Sequence, residues 1–222
     1  LETPGTYWMH SHVGFQEQRL MAAPLIVRDP AEAGLDEQEV VVMLHDFTFR
    51  DPDEILAELR AGGGGGMDHG MMPEGESMDG GMMMDDAMAM DGEMDHGDMD
   101  QDSMALGGGM TMDLNDIEFD AFLANDRTLD DPDVVRVEPG GRVRLRIING
   151  ASSTNFHIGL MGLDAELIAI DGLPVTPFRG DQFPIAMAQR LDIRVSLPAG
   201  QGAYGVHAHR EGGTERTGLL LA

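Results

Sequence analysis

Hydrophobic and polar positions alternate in short runs along most of this 222-residue chain, the pattern of strands half-buried in a sheet. Residues 6–12 read as an aromatic strand, and residues 24–27 as a second one stopped by Asp29-Pro30. Two strands cannot build an independent core. This pair is expected to pack against domain residues outside the chain or to stay marginally ordered. Residues 39–44 form a buried-type strand, and Asp51 then caps a short helix with Pro52 at its first position and Ile55, Leu56 and Leu59 as its apolar stripe. Further strands are predicted at 117–125, 134–137, 142–148, 156–160, 166–170, 189–196 and 202–208. Strong turn chemistry separates several of them, at Pro139-Gly140-Gly141, Asn149-Gly150, Asp171-Gly172 and Pro198-Ala199-Gly200. Many short strands at this spacing mean an all-β sandwich or barrel.

Residues 62–113 break the pattern. They hold all but five of the chain's 19 methionines, set among glycines and aspartates with no Lys or Arg. Such a stretch has neither period 2 nor period 3.6 and cannot bury enough apolar surface to offset chain entropy, so a disordered Met-rich insert is expected.

The formal charge is −26, from 40 acidic and 14 basic residues. Phosphate-binding surfaces need Lys and Arg clusters, so nucleic acid and anionic membranes are excluded as partners and cations are favoured. No run of 18 apolar residues is present that would span a membrane. The start of the chain carries no leader pattern and reads as mid-domain sequence. The absence of cysteine removes disulfides and thiolate metal sites.

Candidate chemistry begins at Trp8-Met9-His10-Ser11-His12. Alternate residues of a strand share a face, which puts both imidazoles on one side, about 7 Å apart along the chain. Two such histidines can each serve one member of a metal pair.

The segment 5–12 (Gly-Thr-Tyr-Trp-Met-His-Ser-His), followed by Gly14-Phe15-Gln16-Glu17-Gln18 and Pro24-Leu25-Ile26-Val27-Arg28-Asp29-Pro30, resembles the second copper-binding motif of multicopper oxidases, most closely the bacterial copper-resistance type, which are laccase-like. The run from Val135 to Gly150 resembles the second, copper-free cupredoxin domain of the same family. The resemblance implies a cupredoxin-like Greek-key β-sandwich. Residues 1–30 would be the C-terminal end of cupredoxin domain 1, 31–61 the linker and first strand and helix of domain 2, 62–113 the insert, and 114–222 the remainder of domain 2. His10 and His12 would bind the type 3 copper pair of a trinuclear cluster, with Trp8 and Ser11 as structural neighbours. The family's other histidine motifs and the type 1 copper cysteine are absent from these residues, so the chain reads as an internal piece that needs flanking cupredoxin domains. The parent would couple one-electron oxidation of a small reductant, Cu(I) or a phenol, to reduction of dioxygen to water, with a role in copper resistance and a periplasmic or exported location.

The methionines of the insert, with His69 and His96, suit capture of Cu(I) because thioethers are soft ligands, although a flexible spacer or an oxidant sink would have the same composition. A non-enzymatic copper-buffering module using that insert is the alternative function. His207 and His209 form a second His-x-His on a strand, but at the end of the copper-free domain they read as structural first and as an adventitious metal site second. His45 and His157 read as hydrogen-bonded, part-buried histidines. Asp164, Asp171 and Asp181 read as turn formers. No phosphate loop or nucleophile elbow occurs.

Overall fold

The computed structural model describes residues 3–62 and 117–222, so the predicted insert, beyond Gly62, lies outside the described residues. The chain divides into two units, one of residues 1–60 with 111–222 and the other of residues 61–110; the architecture below is that of the first.

Strands β1 (Gly5–His10) and β2 (Ala22–Val27) form an antiparallel pair of their own, in register from Gly5 opposite Val27 to His10 opposite Ala22. After a single 3-10 turn at Pro30–Glu32 come β3 (Gln38–Phe47) and helix α1 (Pro52–Gly62). The second stretch supplies β4 (Ala121–Ala124), β5 (Val134–Val135), β6 (Arg142–Asn149), β7 (Phe156–Gly159), β8 (Asp164–Ile170), β9 (Leu173–Arg179), β10 (Gln182–Ile185), β11 (Arg190–Ser196), β12 (Tyr204–Arg210) and β13 (Arg216–Leu221). They make a six-stranded sheet, β4-β3-β6-β11-β8-β9, and a five-stranded sheet, β10-β7-β12-β13-β5. The β3–β6 and β13–β5 pairings are parallel and the others antiparallel. The expected all-β Greek-key sandwich is what the chain forms.

Period-two patterning explains the core. Val143, Leu145 and Ile147 of β6, with Val42 and Leu44 of β3 and Ile193 of β11, face Phe156, Ile158, Val206, Ala208, Leu219 and Leu221 of the other sheet, all buried in one apolar cluster. Each large aliphatic side chain there contributes about 1.5–3 kcal/mol by leaving water. Asp46, buried at the end of β3, accepts four hydrogen bonds at 2.8–2.9 Å, from Ser152 N and Oγ, Ser153 N and Thr154 Oγ1, and so pins the β6–β7 connection. The Asp51 cap of α1 is in place, with Asp53 N donating to Asp51 Oδ1 at 2.9 Å.

Three strands were not foreseen. Strands β9 and β10 contain prolines, which discount a strand reading, yet both are sheet edges, where a missing N–H breaks no ladder. In β13 the charged start and Gly218 obscure the Leu219–Leu221 run. The hairpin β1–β2 also departs from expectation. It packs against this chain's own six-stranded sheet, on the face away from the sandwich core, through polar groups rather than apolar ones.

Candidate metal centre and its support

The docking begins at β6 and β11, whose outward positions are charged. Arg144, Arg146 and Asp192 would ordinarily face solvent, but all three are buried together with Thr6 of β1. Thr6 Oγ1 donates to Asp192 Oδ1 at 2.5 Å and accepts from Arg146 Nη1 at 3.0 Å. Asp192 Oδ2 accepts from Arg144 Nη2 at 2.8 Å and from Arg146 Nη1 at 2.9 Å. Glu39 closes the charge balance by pairing with Arg146 and with Arg28. Burial alone would push the Glu39 carboxyl up, but the hydrogen bonds from Arg146 and Arg28 outweigh it and hold the group below its ordinary value. Beside this cluster Arg190 Nε donates to the Thr6 carbonyl at 3.2 Å, and its guanidinium lies 5.9 Å from the centre of the Tyr7 ring. Gly5 and Gly172 allow the contact: a Cβ on Gly5 would lie 2.6 Å from the Gly172 carbonyl oxygen, and one on Gly172 would lie 3.0 Å from Tyr7 Cζ.

Thr6, Trp8 and His10 share one face of β1, so the polar clamp at Thr6 also sets the direction of His10. Trp8 stacks on His10 with ring centres 4.2 Å apart and planes 23° apart. Glu17 Oε1 stands 2.7 Å from His10 Nδ1, yet off the line of a hydrogen bond, so Nδ1 is buried without a hydrogen-bond partner. The motif's resemblance gives Glu17 no role; that it is the one acid between the histidines and β2 is the sequence signal for it.

The expected strand does not reach His12. The chain turns at Ser11, whose Oγ accepts from Val13 N at 3.1 Å and donates to Gln16 Oε1 at 2.5 Å, and His12 stands exposed beyond the end of β1. The turn nevertheless brings the two imidazoles together, with ring centres 4.4 Å apart and planes at 57°. The two rings form no larger ligand set, because no group of three or more His, Asp or Glu side chains placed to hold a metal occurs among the described residues. An open cleft of about 650 Å³, lined by Met9, His10, Ser11, Arg19 and Met21 among others, lies beside them. Met9, Val13 and Met21 are all more than half exposed. Two imidazoles, with Nδ1 of His10 turned to Glu17, fit copper as a partial ligand set whose remaining donors come from elsewhere.

The other histidines among the described residues are apart from this pair. His45 is buried, its Nδ1 3.1 Å from the Gly150 carbonyl oxygen; burial pushes its imidazole below the ordinary value. His157 lies half-buried on β7, and His207 and His209 on β12. Asp171, at positive φ, accepts from Arg190 N, a turn role as expected. His69, His96 and the insert methionines lie outside the described residues.

A sequence model of the multicopper oxidase family matches residues 38–220. Multicopper oxidase MmcO of Mycobacterium tuberculosis is 32% identical over 99% of this chain and 38% of its own length. Copper resistance protein A of Escherichia coli is 32% identical over 96% of this chain and 34% of its own. Among solved structures, the multicopper oxidase Fet3p superposes with a TM-score of 0.68 at 12% identity, over the whole chain and 34% of Fet3p, and a laccase from Botrytis aclada with 0.63 at 21% identity, over 99% of the chain and 35% of that laccase. The chain thus spans about a third of the length of the relatives it matches.

Proposed function

Because this chain belongs to the copper-dependent multicopper oxidase family, we propose that it is an internal segment of a copper-resistance oxidase in which His10 and His12 are ligands of the type 3 copper pair. The observation that carries the reading is the adjacency of the two rings, 4.4 Å apart at the end of a docked strand, with a ligand set that stops at two among the described residues. The separate β1–β2 pair supports taking residues 1–30 as the end of cupredoxin domain 1, and the two large sheets support taking 31–61 with 114–222 as domain 2.

Copper, when bound, supplies one-electron redox chemistry and the capacity to reduce dioxygen to water. The chain's own residues prepare the ligands. Trp8 fixes the plane of the His10 ring, and Glu17 stands 2.7 Å from Nδ1, leaving Nε2 to ligate. The Ser11 turn holds His12 alongside. The exposed Met9, Val13 and Met21 provide an apolar rim against which a flanking cupredoxin domain packs, excluding water from the cluster. Electrons from Cu(I) or a phenolic reductant enter at a type 1 site on the flanking parts of the protein, in a periplasmic or exported setting.

The test is His10→Asn and His12→Asn in the full-length parent. Oxygen consumption is expected to be lost while the blue type 1 absorption persists. Wild-type oxygen reduction by either variant would overturn the assignment.

A further inference from the structure

A second imidazole group lies on the opposite sheet. Strand β12 turns Val206 and Ala208 into the core, so His207 and His209 face outward. Antiparallel pairing sets His209 opposite His157 of β7, and paired residues share a face, so three histidines separated by some fifty residues in sequence occupy one patch. The rest of the patch is cleared of side chains. His207 is opposite Gly159 on one side and Gly218 on the other. The His209 ring lies over Gly159, where a Cβ would be 3.3 Å from its Nε2, and the His207 ring over Gly205, where a Cβ would be 2.6 Å from its Nε2 and Cε1.

We propose that His207 and His209 form a second, surface site for a divalent transition-metal ion, Cu(II) foremost. The His207 and His209 ring centres are 6.0 Å apart, within the span that lets both imidazoles reach one ion through metal–nitrogen bonds of about 2.0–2.1 Å. Imidazole nitrogen suits Cu(II), Ni(II) and Zn(II), and the order of divalent affinities places Cu(II) first. Burial, with Arg216 and His209 nearby, pushes the His207 imidazole below its ordinary value. Arg216, opposite His209, also opposes added positive charge, and the positions paired with these histidines carry no carboxylate, so the ion keeps solvent ligands and exchanges readily.

The test uses the full chain carrying His10→Asn and His12→Asn, so that its outcome is independent of the type 3 assignment, beside the same chain with His207→Asn and His209→Asn added. Cu(II) is supplied below one equivalent. In the first chain, the ring proton signals of His207 and His209 should broaden before those of His45, His69 and His96, and equilibrium dialysis should hold copper on the protein side that the second chain loses. The substituted positions face outward, so the thermal midpoint should be the same in both. Equal copper retention by the two chains, or broadening of His69 and His96 ahead of His207 and His209, would refute the site.

Discussion

Thr6→Val isolates the polar clamp that holds the hairpin. Valine keeps the volume of threonine and removes only the hydroxyl, which is fully buried and serves two charged partners, Asp192 and Arg146. Asp192 retains both arginines through Oδ2, and Arg146 Nη1 retains Asp192, so the variant orphans one carboxylate oxygen without unpairing a charge. A buried hydrogen bond to a charged group is worth about 1.5–3 kcal/mol, which puts the loss at about 2–3 kcal/mol. It should fall on the hairpin, whose other ties to the sheet are few. Amide exchange in 5–10 and 22–27 should therefore quicken by about 30- to 140-fold, at 1.4 kcal/mol per factor of ten, while β6 and β11 keep their protection. Unchanged exchange in the hairpin would mean that something other than this cluster docks it, and the account of how His10 is aimed would fall with it.

Asp46→Ala removes the acceptor of four hydrogen bonds at once, and a loss of about 3–5 kcal/mol should appear as a lower urea midpoint with the slope unchanged. The pH dependence of folding should carry the mark of His45. Its folded-state imidazole lies below the ordinary 6.5, so its contribution is intact above pH 6.5 and is lost as pH falls below that value, because the unfolded state takes up the proton first. Comparing urea midpoints at pH 7 and pH 5.5 for the native chain and His45→Gln checks the sign; a native chain that gains stability on acidification relative to the variant would contradict it.

The all-β class, the sandwich, the helix cap at Asp51 and the motif that makes His10 and His12 candidates were legible along the chain, because alternation, turn residues and short motifs are local properties. The alternation of Arg142, Arg144 and Arg146 with Val143, Leu145 and Ile147 correctly told one face of β6 from the other. It could not tell that the charged face is also covered, since that depends on Asp192, Thr6 and Glu39 arriving from elsewhere to satisfy it. Proline hid β9 and β10 for a related reason: whether a strand tolerates a missing N–H is decided by its place at the edge of a sheet, which only the assembled sheet defines. The two histidine pairs divide in the same way. Spacing put each pair on one strand, but the turn at Ser11 drew His10 and His12 to 4.4 Å, and strand pairing brought His157 to His209. Local pattern determines which face a side chain takes; only the register between distant strands decides what it meets there, and the meeting sets the chemistry.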